Sequence, residues 1–176
     1  MAKTPITDLA GFAGEHLEYE VQMFLTARNK LFKSAPQRSP DPDEAFNRNL
    51  LIESCVLHFR NLVDFFYPPS PTQPDDVTAA DYVPGWGSPS VPTILKDART
   101  RANKELAHLT LKRKAGAPPD KAWDFADLSN AMTSIIEDFI TRVDVSNLPP
   151  PTKTVLQRIG GVVKVTGGAV FKTSSF

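Results

Sequence analysis

The sequence predicts an all-α fold, an up-down antiparallel four-helix bundle. Three observations carry this. Four stretches of about 22 residues repeat their apolar side chains at helical spacing. Proline- and glycine-rich segments separate them, and such residues end helices. The 176-residue length with 41% hydrophobic content suits one domain with its own core.

The first helix is expected from Phe12 to Lys33, with Leu17, Val21, Phe24 and Leu31 on one face. The connector Ser34-Ala-Pro-Gln-Arg-Ser-Pro-Asp-Pro42 stops it. The second is expected from Glu44 to Tyr67, with Asp43 as its cap and Pro68-Pro69 as its end. Residues 68–92 hold seven of the 16 prolines, so they predict a long crossing loop with one helical turn near Asp76–Asp81 and Trp86 as its anchor. The third helix is expected from Thr93 to Lys114, led by Pro92. The fourth is expected from Lys121 to Val143, capped by Asp120. Pro149-Pro150-Pro151 is expected to close a bundle domain over residues 1–151. Residues 152–176 are then a tail, either a small hairpin around Gly167-Gly168 or unstructured.

The second helix is apolar around most of its circumference. Ile52, Cys55, Val56, His58, Phe59, Leu62 and Val63 form the band, Leu50 and Leu57 extend it, and Asn49, Glu53, Arg60 and Asp64 leave a narrow polar strip. A helix this apolar is central or covered twice, and the expected second cover is another copy of the chain. Cys55 lies in this band without an activating neighbour and reads as an apolar filler.

Lys+Arg and Asp+Glu number 20 each, which excludes a strongly basic nucleic-acid coat. A lone cysteine allows no intrachain disulfide, and no apolar run reaches membrane-spanning length. The expected setting is cytoplasmic, with no membrane association. No glycine-rich phosphate loop, nucleophile elbow or zinc spacing calls for a cofactor.

The third helix carries the chemistry. Leu95, Ala98, Ala102, Leu106 and Leu109 form its apolar stripe. Arg101 and His108 border that stripe, about 20° apart around the axis and about 10 Å apart along it. A guanidinium and an imidazole on one face can hold a phosphate and move a proton. Between Lys96 and Lys114 there are seven basic residues against Asp97 and Glu105, a local net of +5. Arg99, Lys104 and Lys112 are the candidate phosphate contacts in this run. An up-down arrangement puts Glu53 level with His108 and Arg60 level with Arg101, making Glu53, Arg60 and Glu105 candidate supporting residues. The other reading of the same spacing is a surface ion-pair ladder through Asp97, Arg101 and Glu105.

Metal binding is disfavoured. His16, His58 and His108 would stand at about 6, 13 and 22 Å along the bundle, too far apart to share one ion. The Glu105-Leu-Ala-His108 unit lacks the second Glu-x-x-His that a di-iron bundle requires. His58 falls in an apolar band and reads as a hydrogen-bonded core histidine. His16 reads as structural.

Long antiparallel helices in which an Arg precedes a His by a few residues resemble the HEPN superfamily of helical bundles. The resemblance spans residues 12–143, and the stretches Glu53–Phe66 and Asn103–Arg113 are similar to bacterial proteins of this type. It implies a homodimer with two Arg/His pairs in a shared cleft. Many such proteins are metal-independent ribonucleases of toxin–antitoxin or other defence systems, and others only bind. On that pattern His108 would be the acid or base toward an RNA 2′-hydroxyl, and Arg101 would stabilise charge on the phosphate. The products would be a 2′,3′-cyclic phosphate and a 5′-hydroxyl. An antitoxin or another protein would be a further partner. The chain departs from the pattern at Ala102, where a polar residue is usual, and its six intervening residues are the longest spacing the pattern takes. The sequence therefore leaves two readings: an RNA-directed protein using Arg101 and His108, or a non-catalytic helical interaction module.

Overall fold

The computed structural model describes residues 6–33, 41–87, 91–106 and 123–161. The fold is all-α, and among the described residues there is no β-strand. Helix α1 (Leu9–Phe12) runs through a π-helical turn at Ala13–Leu17 into α2 (Glu18–Lys33). Asp8 starts it, its Oδ1 accepting from the Gly11 amide at 2.7 Å. Ala13, Leu17, Val21, Phe24, Leu31 and, unexpectedly, Arg28 are buried along this rod.

Helix α3 (Pro42–Phe66) begins two residues before the expected start. Asp41, rather than Asp43, is the cap, accepting from Glu44 N at 2.8 Å, and Pro42 takes the first helical position, where a missing N–H costs nothing. In the 68–92 loop the helical turn is α4 (Ala79–Tyr82), three residues later than expected. Thr78 and Asp81 form a reciprocal capping box there. Trp86 anchors the loop as expected. Its Nε1 donates to the Phe66 carbonyl at 3.0 Å, and its ring meets Phe66 and Phe139. Phe65, Tyr82 and Phe139 complete an edge-to-face aromatic cluster, in which each pair adds about 0.5–1.5 kcal/mol beyond simple burial.

Helix α5 (Thr93–Glu105) follows Pro92 and buries Leu95, Ala98 and Ala102. The expected continuation to Lys114 lies outside the described residues. Helix α6 (Phe125–Arg142) starts later than expected. Asp124, rather than Asp120, caps it, accepting from the amides of Ala126 at 3.1 Å and Asp127 at 2.9 Å.

Beyond a 3₁₀ turn at Val145–Asn147 the chain forms α7 (Pro150–Gly161). The domain therefore does not close at residue 151, and residues 152–161 are neither hairpin nor unstructured tail. The proline block begins a helix instead of ending the fold, because prolines suit a first turn whose amides have no intrahelical partner. Thr152, Leu156 and Ile159 are at most 1% exposed. Burying Leu156 and Ile159 is worth about 1.5–3 kcal/mol each. The hairpin expected around Gly167-Gly168 lies outside the described residues. The main packings run from α2 to α3, α3 to α5, α5 to α6, α6 to α7 and α7 back to α2.

Candidate functional site

Arg101 lies near the C-terminal end of α5, beside the buried Ala102. Its Nε donates to both carboxylate oxygens of Glu105, at 3.0 and 2.9 Å. Its Cζ stands 4.0 Å from the centre of the Trp123 ring. Trp123 is buried and stacks parallel to Phe125 just before and at the start of α6, with centroids 6.3 Å apart. The Arg101 and Glu105 side chains are each only 22% exposed. The guanidinium is thus neutralised along one edge and covered on one face. An arginine held this way ties α5 to the start of α6, and its charge is largely spent before a phosphate arrives. Of the expected ladder, the Arg101–Glu105 link is present. His108 and Lys112 lie outside the described residues.

The other expected site residues do not gather around Arg101. Arg99 leaves α5 toward α3, where its Nη1 donates to Asp64 Oδ1 at 3.3 Å and to the Tyr67 carbonyl. That carbonyl stands at the end of α3, where a cation satisfies an orphan acceptor and the helix dipole together. Arg60 pairs with the same Asp64 at 3.5 Å. So Arg60 meets Arg99, and not Arg101, across the α3–α5 contact. Asp64 sits between two guanidiniums, yet burial raises its pKa above the usual carboxylate range, aided by the more distant Asp76 and opposed by Arg60 and Arg99. Glu53 and Lys104 are exposed on their helices. The candidate residues therefore divide into an Arg101–Glu105–Trp123 stack toward α6 and an Arg60–Asp64–Arg99 triad toward α3.

Two features escaped the sequence reading, and a third adds Phe46 to what it expected. The first is Arg28. Leu17, Val21, Phe24 and Leu31 mark a stripe whose next position is residue 28, and an arginine stands there fully buried. It donates to Ser129 Oγ at 2.8 Å and to the Ile159 carbonyl at 3.2 Å, joining α2, α6 and α7. Burial holds its guanidinium below the usual arginine range, with Cys55 opposing. Cys55 itself is fully buried, and burial pushes its thiol pKa up against the pull of Arg28, so it stays a protonated filler.

The second feature is the partner of His58. His58 is the hydrogen-bonded core histidine its apolar band predicts, with Nδ1 2.8 Å from Glu20 Oε2. Asn61 Nδ2 donates to the same oxygen at 3.1 Å, and Tyr19 stands edge-on to the imidazole. His16 packs on Phe12. Among the described residues no three His, Cys, Asp or Glu side chains are placed to hold a metal ion.

The third is a strip on α3 where Phe46, Leu50 and Leu57 are 51%, 47% and 49% exposed. At about 100° per residue these three lie within about 40° of one another around the axis. Tyr19, 54% exposed on α2, stands beside His58. No helix among the described residues is long and apolar enough to cross a membrane. No protein-family model matches the chain, and neither a curated protein nor a solved structure is similar to it beyond chance.

Proposed function

We propose that this chain is a non-catalytic helical interaction module, an up-down bundle that pairs with a second copy through the exposed face of α3. The observation that carries the reading is the aligned strip of Phe46, Leu50 and Leu57, each about half exposed on a helix whose other sides are buried. Isolated apolar side chains on a surface need no explanation, but three in one line along a single helix mark a contact surface. A two-fold pairing suits it. If two α3 helices cross antiparallel near residue 52, Phe46 of one copy falls opposite Leu57 of the other, and Leu50 falls opposite the exposed Glu53.

The disposition of Arg101 supports the same reading. It is engaged by Glu105, one link of the ladder alternative, and it is also covered by Trp123. A HEPN-like bundle that dimerises without cleaving RNA accommodates both features. The ribonuclease reading keeps one point in its favour: Arg101 lies near the end of α5, close in sequence to His108.

The experiment that separates them incubates purified protein with a mixed-sequence RNA and resolves the fragments. An interaction module leaves the RNA intact, and His108→Ala behaves as wild type in RNA binding and in growth of an expressing culture. Cleavage to 2′,3′-cyclic phosphate ends that His108→Ala abolishes would replace the proposal with the ribonuclease.

A further inference from the structure

Arg28 has neutral acceptors and the Phe24 ring, 5.6 Å from its Cζ, around it. Its acceptors are all neutral: Ser129 Oγ, the Ile159 carbonyl, and Asn29 Oδ1, which lies 3.4 Å from both Nε and Nη2. Among the described residues no carboxylate lies within ion-pairing distance of it. Ile159 is in the last turn of α7, and a helix carbonyl end supplies roughly half a negative charge. A buried guanidinium satisfied in hydrogen bonds but not in charge is costly unless something else completes it.

Above it lies a polar groove of about 360 Å³ between α2 and α7, lined by Gln22, Thr26, Arg28, Asn29 and Arg158 among others. The groups it presents include the donors of Asn29, Thr26 and Arg158. Because Asn29 Oδ1 faces Arg28, the Asn29 amide nitrogen is turned away from it, and that nitrogen donates to nothing among the described residues. Arg158 is exposed and makes no hydrogen bond or ion pair with the described residues. The acid on this face of α2, Glu18, is already occupied by Gln22 at 2.7 Å and Thr152 at 3.0 Å. Gln22 Nε2 donates one of its two hydrogens in the first of these contacts.

We propose that the α2–α7 groove binds a small oxyanion of phosphate type, held by Arg158, the Asn29 amide and the Thr26 hydroxyl, with the buried Arg28 as a fixed charge beneath it. Arg28 reaches the ligand through Asn29, whose orientation it sets, rather than by direct contact, since its own surface is closed to solvent. Arg158 and Asn29 are the binding residues, and Arg28 is a positioning residue.

Isothermal titration of the full chain with inorganic phosphate, against chloride at matched ionic strength, tests this. Saturable one-site binding is expected, weakened at least tenfold in Arg158→Ala. Asn29→Asp would place a carboxylate where Arg28 lacks one. It is expected to abolish phosphate binding and to raise the melting temperature in phosphate-free buffer. A general salting effect of phosphate would act equally on all three proteins. Glycerol phosphate, titrated in parallel, identifies the ligand as an ester if it binds more tightly than the free ion, and either order supports the site. Absence of saturable binding, or equal affinity in Arg158→Ala and wild type, would overturn the proposal. A lowered melting temperature in folded Asn29→Asp would overturn it too, because Arg28 would then already be compensated.

Discussion

The guanidinium of Arg101 lies 4.0 Å above the ring of Trp123, and the carboxylate of Glu105 grips its Nε from the same helix. This one arrangement decides how the most suggestive residue of the chain is read. A cation covered by an indole and neutralised by a neighbouring acid fastens the end of α5 to the start of α6.

Replacing Arg101 by alanine is expected to lower unfolding stability by about 1–2 kcal/mol, combining the cation–π contact with the helical ion pair. Arg101→Lys should fall between, since an ammonium keeps the charge and loses the planar stacking. Chemical denaturation of the three proteins measures this. A stability unchanged in Arg101→Ala would return the residue to the pool of free surface cations.

Helix α7 is part of the folded domain, so Leu156→Ala should destabilise it by about 2–5 kcal/mol, the range for a fully buried leucine. Thermal melts of wild type and Leu156→Ala check this. A change under about 0.5 kcal/mol, the level of an ordinary surface substitution, would mean that α7 is an appendage.

Most of the helical architecture was legible in the sequence because it rests on local signals. Periodicity placed the apolar face of α2, the band on α3 and the stripe on α5, and Trp86 stood out as an anchor in a proline-rich loop. Caps were misplaced by two to four residues wherever aspartates were plentiful, as with Asp41 against Asp43 and Asp124 against Asp120. Choosing among them depends on which side chain reaches a free amide, and spacing does not encode that. The proline block before α7 was misread because proline is both a stop signal and a favoured first residue. The site was less legible. Helical geometry put Arg101 at the border of the core, which is correct, but nothing local says that Trp123 lies over it or that Arg99 turns to Asp64. Arg28 was legible in principle, as a charged residue at a stripe position, and its meaning appears only once Ser129 and Ile159 are brought alongside it from distant parts of the chain.

The raised pKa of Asp64 gives a pH dependence whose sign can be worked out. The folded state holds the proton more tightly than the unfolded chain does. Asp64 therefore costs nothing at low pH, and the protein loses stability as pH rises from the ordinary carboxylate range to the raised value. Asp64→Asn keeps an oxygen for Arg99 and removes this titration. Its stability relative to wild type is expected to improve as pH climbs from about 4 upward. Urea melts of both proteins across that range test it. A relative stability moving the other way would show that Arg60 and Arg99 outweigh burial and depress the pKa.

The central claim is that the strip of Phe46, Leu50 and Leu57 on α3 is where two copies meet, and light scattering coupled to size exclusion tests it most directly. The wild-type chain is expected at twice its 19.4 kDa mass, shifting to a single mass in a folded Leu50→Asp, Leu57→Asp variant with unchanged helical circular dichroism. A wild-type protein that stays at 19.4 kDa at high concentration, or a dimer that survives both substitutions, would contradict the account.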